Sequence, residues 1–150
     1  MNRTIRFSLL VLISILLSAC QVVNQTDPQK NKPTPPQPSA GKAVMAGQVL
    51  MKSNGKPIPS DTPVRLAQIY RQGNEGAFVL DLAHSPSSLS TGEGYFTLVD
   101  ITPAEYLMVV GKPEDSNYVI YNGADGKPIT YQIVAGKTID VGVITVDYNP

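Results

Sequence analysis

From about residue 43 onward, apolar and polar residues alternate with a period of two, the pattern that β-strands produce. Ile139, Val141 and Val143, for example, alternate with Asp140 and Gly142. Clusters of Gly, Pro, Asn and Asp separate the alternating runs and favour turns. The pattern predicts strands at 44–51, 64–70, 77–82, 95–99, 106–110, 118–121, 129–134 and 139–147.

These strands predict an all-β domain, a seven- or eight-stranded antiparallel β-sandwich. The strand at 106–110 contains four consecutive apolar residues, so we expect it to be central and covered on both faces. Asn54-Gly55 and Asp125-Gly126 predict type I′ hairpins. Both pairs are followed by Lys-Pro-Ile, which shared turn chemistry explains better than an internal duplication. We expect no helix, because the best short candidate, 103–105, is better interpreted as a turn.

The beginning of the chain has the pattern of a secretory signal. Arg3 and Arg6 precede an apolar run at 7–17, which is shorter than the roughly 20 residues of a membrane-spanning helix. Leu17-Ser18-Ala19-Cys20 then resembles the lipobox of bacterial lipoproteins. The resemblance implies that residues 1–19 are a cleaved signal peptide and that acyl chains are attached to Cys20. The alternative is an ordinary signal peptide with an incidental cysteine.

Lipidation at Cys20 would make the lipid bilayer a partner, because two or more acyl chains hold a protein stably on a membrane. We therefore expect the protein at the cell membrane or the outer membrane, facing the periplasm or the exterior. Gln21 stands where an aspartate would favour retention in an inner membrane, so the sequence favours the outer one. Because Cys20 is the only cysteine, the mature domain has no internal disulfide.

Residues 20–42 predict a disordered linker between the anchor and the domain at 43–150. Five prolines are interleaved with polar residues there, and no large apolar residue occurs between Val23 and Val44. Such a chain favours extended polyproline geometry, so about 22 residues could reach at most roughly 70 Å. The alternative is that the prolines form a motif that binds in the groove of a partner protein.

Charge excludes one class of partner. The chain has 12 basic and 12 acidic residues, and cleavage would remove Arg3 and Arg6 from the basic set. The mature protein is therefore mildly acidic, whereas nucleic-acid binding requires a basic patch. We expect no nucleic-acid partner.

The domain opens with Gly-Gln-Val and Gly-Lys-Pro-Ile, has a Thr-Gly turn before an aromatic strand near its centre, and ends in an apolar strand. These motifs lie in the segments 47–49, 55–58, 64–66, 90–98, 103–109 and 141–146. Together they resemble the carboxypeptidase regulatory-like, or transthyretin-like, β-sandwich family. The resemblance implies a prealbumin-like or immunoglobulin-like architecture and assigns no catalytic residue. The chain has Pro103-Ala104-Glu105 where the family usually has Pro-Gly, and its segment 71–90 is long, which leaves strand pairing there open.

The candidate chemistry is sparse, and we expect no catalytic residue, no metal and no cofactor. His84, the only histidine, lies in a serine-rich loop without a nucleophile elbow, so we interpret it as a solvated loop residue. Four further residues carry oxygen ligands that could in principle surround a calcium ion, but their spacing is not that of a calcium-binding loop. We therefore interpret them as turn residues: Asp115, Asn117, Asn122 and Asp125.

Tyrosines near the end of the chain suggest a binding face at Tyr118, Tyr121 and Tyr131, because exposed tyrosines stack on sugars or fill partner pockets. The sequence thus predicts an envelope lipoprotein that presents a non-catalytic sandwich for binding or structural support. Its partner would be an envelope protein or a polysaccharide. The alternatives are a cell-wall- or sugar-directed hydrolase and an accessory subunit of an envelope assembly.

Overall fold

A computed structural model describes residues 32–73 and 75–150. The predicted signal peptide, Cys20 and most of the predicted linker lie outside the described residues. The described part contains nine strands, with a short 3-10 helix at Pro113–Asp115. The strands are β1 (Ala43–Met51), β2 (Pro63–Gln72), β3 (Glu75–Val79), β4 (Ser87–Leu89), β5 (Tyr95–Ile101), β6 (Glu105–Lys112), β7 (Asn117–Ile120), β8 (Thr130–Gln132) and β9 (Thr138–Val146).

The strands form two sheets of unequal width. The narrow sheet has the order β5-β1-β9, and the wide sheet has the order β3-β2-β6-β7, with β4 pairing with β2 and β8 with β6. This arrangement confirms the predicted all-β sandwich. The pairs are antiparallel except for β1 and β9, which run parallel, so the first and last strands of the domain lie side by side.

All eight predicted strands are present, and β4 is an additional one. Its three residues, Ser87 to Leu89, are too few and too polar to produce a visible alternation. The loop between β2 and β3 is also shorter than predicted, because the two strands stay paired as far as Gln72 and Glu75. Gly73 makes this tight connection with a φ of 61°, a conformation that glycine adopts without strain.

The main core lies between the sheets, where apolar side chains from both inner faces interdigitate. Met45 and Leu98 from the narrow sheet, and Leu66 and Met108 from the wide sheet, are completely buried in it. Burial of side chains of this size stabilises the fold by roughly 1.5–3 kcal/mol each.

A smaller apolar cluster lies on the outer face of the wide sheet. Ala67, Leu107 and Val109 are buried there, under the partly buried side chains of Leu80 and Ile120. Because Met108 and Val110 point into the main core, β6 is buried on both faces. The prediction of a central, doubly covered strand is therefore confirmed.

The two Asx-Gly turns differ from the predicted type I′ geometry. Gly55 and Gly126 have φ values of 68° and 77°, but Asn54 and Asp125 are not among the residues with positive φ. A type I′ turn requires positive φ at both central residues, so that prediction was wrong. Each Asx side chain instead accepts a hydrogen bond from the lysine amide two residues on, at 2.8 Å for Asn54 and 3.1 Å for Asp125. This shared local bond accounts for the similarity of the two segments.

Candidate functional site

A cleft opens where the narrow sheet fails to cover the inner face of the wide one. Along β2, Val64 and Leu66 face the main core, and Gln68 and Tyr70 continue the same face beyond it. With Val79 of β3 they form the floor of a cavity of about 360 Å³, which we call the edge cleft. The change from aliphatic to polar residues along this face therefore follows the edge of the covering sheet.

One wall of the edge cleft is the turn at 81–86, which joins β3 to β4. Asp81 organises this turn, since its Oδ1 accepts hydrogen bonds from the amides of Ala83 (2.9 Å) and His84 (3.2 Å). The amide of Asp81 in turn donates to Ser85 Oγ at 3.0 Å. The wall is thus held by a local hydrogen-bonded turn of the kind that aspartate favours.

His84 extends from this turn into solvent, with its side chain 84% exposed. Its Nδ1 lies 2.8 Å from Asp81 Oδ2. The hydrogen bond from His84, followed by that from the Ala83 amide, lowers the pKa of the Asp81 carboxyl below its ordinary value. The exposure agrees with the predicted solvated histidine, although the ring also borders the edge cleft.

The opposite wall comes from the end of β5, where Asp100 and Thr102 line the cleft. The register of β1 and β5 shifts here, so β5 contains a bulge, and Asp100 adopts a φ of 54°. Bulges re-aim side chains, and aspartate tolerates this left-handed conformation better than most residues.

Residues preceding β1 brace the wall formed by Asp100 and Thr102. Ser39 Oγ donates to Asp100 Oδ1 at 2.8 Å, and Lys42 Nζ donates to Thr102 Oγ1 at 3.0 Å. Tyr106 completes the base of the cleft, and its hydroxyl donates to the Thr102 carbonyl at 2.9 Å. Burial, and then the neighbouring Tyr70, raise the pKa of the Tyr106 hydroxyl.

The three tyrosines predicted as a binding face do not share one exposed surface. Tyr118 is 44% exposed in β7, whereas Tyr121 and Tyr131 are partly buried and pack against the main core. Burial, with a smaller effect from Tyr121, raises the pKa of Tyr131 to about 12. A role in binding stays a prediction for these residues.

The edge cleft combines an exposed aromatic ring with an amide, hydroxyls and carboxylates, which suits it to hold a polar ligand. Within residues 32–73 and 75–150, no group of three or more His, Cys, Asp or Glu side chains could hold a metal ion. No helix of the described part is long and apolar enough to cross a membrane.

Sequence reasoning missed most of this site. Gln68 and Tyr70 lie on β2, whereas Asp100 and Thr102 lie at the end of β5 and just after it, and no shared motif links the two pairs. The one local signal was the polar face of β2 beyond Leu66, which becomes informative only when the width of the opposite sheet is known.

No protein-family model matches the chain, and no curated protein matches it. Among solved structures it is similar to a 9R-lipoxygenase from Cyanothece (16% identity, TM-score 0.40, 73% of this chain and 17% of that one). A proposed carbohydrate-binding protein from Pseudomonas aeruginosa gives 15% identity and a TM-score of 0.43, over 73% of this chain and 92% of that one. The major pilin subunit BcpA of Bacillus cereus gives 16% identity and a TM-score of 0.40, over 73% and 30%.

The chain therefore spans less than a third of the lipoxygenase and of the pilin subunit. At these identities and TM-scores the similarities carry no argument about function. The chemistry of the chain has to be argued from its own residues.

Proposed function

We propose that this chain is an envelope lipoprotein, anchored through Cys20, whose β-sandwich presents a binding cleft and catalyses no reaction. The observation that carries the proposal is the position of the only cysteine, directly after the apolar run and the small residues Ser18 and Ala19. The polar segment that follows provides a spacer, and the resemblance to transthyretin-like sandwiches agrees with a presented module. Gln21 favours the outer membrane where the cell has one.

A binding role is favoured because the residues that could serve in catalysis, Asp81 and Ser85, form hydrogen bonds within their own turn. Asp81 Oδ1 accepts two amide hydrogen bonds of its own turn, and Ser85 Oγ accepts one from the Asp81 amide. These groups therefore maintain the wall of the edge cleft. A catalytic triad would instead direct the histidine of an Asp–His pair at a nucleophile.

The anchor is tested by replacing Cys20 with serine and labelling cells with a radioactive fatty acid. We expect label on the wild-type protein and none on Cys20→Ser, which should accumulate as a precursor with residues 1–19 attached. Equal labelling of both proteins would contradict the proposed anchor. A Ser18→Thr variant, which keeps the cysteine, serves as a control for expression and export.

The two competing functions predict different results. A sugar-directed hydrolase would release reducing ends from cell-wall polysaccharide, and that release would fall in an Asp81→Asn variant. An accessory subunit of an envelope assembly would be captured with a stoichiometric protein partner from detergent-solubilised envelope. We expect neither, but rather retention of the protein on envelope polysaccharide.

A further inference from the structure

We infer that the edge cleft binds an uncharged saccharide, with one sugar ring lying against Tyr70. This inference deepens the proposed function by naming the class of ligand, and it rests on the interpretation of the sandwich as a binding module. Three properties of the cleft carry it: the aromatic floor, the set of hydrogen-bonding groups and the balance of charge.

The aromatic floor is the first property. The side chain of Tyr70 is 56% exposed, although it lies on the same face of β2 as the fully buried Leu66. An exposed tyrosine offers a rigid apolar surface with a polar tip. The axial C–H groups of a sugar ring form a flat apolar patch that fits such a surface, while the sugar hydroxyls at the ring edge remain available for hydrogen bonds.

Hydrogen-bonding groups lie beside the Tyr70 ring on the floor and on both walls of the cleft. Gln68 lies beside Tyr70 on β2, Thr102 lies on the wall formed by β5, and Ser85 lies on the wall formed by the turn. An amide and two hydroxyls both donate and accept hydrogen bonds, as do the hydroxyls of a sugar. Thr102 Oγ1 already accepts a hydrogen bond from Lys42 Nζ at 3.0 Å, which leaves its own O–H to donate to a ligand.

The charge of the cleft disfavours an anionic ligand. Asp81 and Asp100 contribute carboxylates from opposite walls, and the residues that line the cavity include no lysine or arginine. Lys42 Nζ reaches the rim, where it donates to Thr102 Oγ1 and keeps its charge. A uronic acid, a phosphate or a sulfated sugar would therefore meet two carboxylates against a single ammonium group at the rim.

A cationic ligand would have to compete for carboxylates that already accept hydrogen bonds within the protein. Asp81 accepts hydrogen bonds from Ala83 and His84, and Asp100 Oδ1 accepts one from Ser39 Oγ. These bonds occupy some of the lone pairs that an ammonium group would use, and they leave the charge of the carboxylates in place. The remaining lone pairs can accept hydrogen bonds from the hydroxyl groups of a sugar, and the hexalysine peptide in the binding test measures whether they prefer a cation.

The size of the cleft limits how much of a saccharide it can enclose. Its volume of about 360 Å³ is near the lower end of small-molecule sites, which occupy roughly 300–1,000 Å³. We expect it to hold one or two rings of a longer chain, with the remaining rings outside.

The test measures binding by calorimetry with the full-length protein in a detergent that has no sugar headgroup. The probes are maltotetraose, cellotetraose, chitotetraose and mannotetraose, together with an oligogalacturonate and a hexalysine peptide. We expect binding of at least one neutral tetrasaccharide and no binding of the two charged probes. Binding of neither class at millimolar probe, or binding of a charged probe alone, would overturn the inference.

Two aromatic variants, at Tyr70 and Phe78, localise the effect. We expect Tyr70→Ala to weaken binding about tenfold, the loss of one good aromatic contact. Phe78→Ala removes an aromatic side chain at a similar exposure, 45% against 56%, from a position on β3 outside the lining of the cleft, so its affinity should equal that of the wild type. Equal weakening by both variants would place the sugar elsewhere. Thermal unfolding of each variant shows whether the fold is intact.

A second pair of variants keeps the inference testable if Tyr70→Ala unfolds. Gln68→Ala should weaken binding by several-fold, and Gln72→Ala, on the same strand but outside the cleft lining, should leave it unchanged. These results are independent of the anchor. A chain that binds sugar but takes up no fatty acid would refute the anchor alone, and a lipidated chain that binds no neutral sugar would refute this inference alone.

Discussion

Gly94 occupies a position that only glycine can fill without strain. Its φ is +77°, and a Cβ atom there would lie 2.4 Å from the Val49 carbonyl oxygen. We expect Gly94→Ala to lower the free energy of unfolding by about 2–4 kcal/mol, since it combines left-handed strain with a clash against backbone. Urea unfolding followed by circular dichroism measures this loss.

Gly92 provides the control, because it belongs to the same turn but nothing lies within 4 Å of the position of its Cβ. Gly92→Ala should change the free energy of unfolding by less than about 0.5 kcal/mol. If the two variants were equally stable, the close approach of Gly94 to β1 would be incorrect.

Two serines on either side of Leu89 allow a second residue-scale test. Ser90 Oγ is buried, accepts a hydrogen bond from the Thr62 amide (3.1 Å) and donates one to the Pro59 carbonyl (2.7 Å). Removing it leaves the Thr62 amide with only its longer hydrogen bond to the Pro59 carbonyl (3.3 Å), so Ser90→Ala should cost about 0.5–1.5 kcal/mol of stability. Chemical denaturation at equilibrium measures the difference.

Ser88 is the matched comparison. Within the described residues its buried Oγ has no hydrogen-bond partner. Ser88→Ala should therefore be neutral or slightly stabilising, because it removes a buried hydroxyl that gains nothing from the fold. A loss as large as that of Ser90→Ala would show that Ser88 makes a hydrogen bond this structure lacks.

At the scale of elements, an ion pair on the outer face of the wide sheet links β2 and β6. Arg71 binds Glu105 through two hydrogen bonds, of 2.6 Å from Nε and 2.5 Å from Nη2. The hydrogen bond from Arg71 lowers the pKa of Glu105 below its ordinary value of 4.5, and the same contact raises that of Arg71. Folding therefore favours the ionised carboxylate.

The pH dependence follows from this direction. The contribution of Glu105 to stability is complete above the unfolded-state pKa of 4.5 and is lost as the pH falls through the lower pKa of the folded state. We expect Glu105→Gln to lower stability at neutral pH and to flatten its decline between about pH 6 and pH 3. The effect is modest because the Arg71 and Glu105 side chains are 49% and 19% exposed. Glu75→Gln, an exposed charge outside the pair, should keep the wild-type slope in urea titrations.

The elements that could be predicted from the sequence are those whose own residues determine them. The apolar run at 107–110 predicted the doubly buried strand, because burial on both faces requires apolar residues at every position. β4 could not be predicted, since its polar residues are held by pairing with β2. The parallel pairing of β1 and β9 depends on how the whole chain closes, which no local pattern records.

The same reasoning explains the candidate site. Tyr118 and Tyr131 are indistinguishable in the sequence, because both are tyrosines in short predicted strands. Only tertiary packing makes the Tyr118 ring exposed and the Tyr131 ring partly buried. Tyr70 joins the cleft because the narrow sheet ends before reaching it. The site therefore exists because one sheet is narrower than the other, and residue types alone could not predict it.

At the scale of the whole molecule, the described end of the linker contacts the domain at Ser39, whose hydroxyl donates to Asp100 in the wall of the edge cleft. Deleting residues 24–32 leaves this contact in place. It shortens the spacer from about 22 to about 13 residues and its greatest reach from roughly 70 to roughly 40 Å. We expect an unchanged unfolding temperature, since the deletion removes no part of the sandwich.

The deletion should instead reduce retention on envelope polysaccharide in intact cells, because a shorter spacer holds the cleft closer to the lipid surface. Replacing residues 24–32 with a Gly-Ser sequence of equal length is the control, and it should retain most of the binding, since reach depends mainly on length. Cross-linking of whole cells followed by isolation of the polysaccharide fraction measures the bound share. If the deletion and the replacement bound equally, distance from the membrane would not govern access to the ligand, and the spacer role of the segment would be wrong.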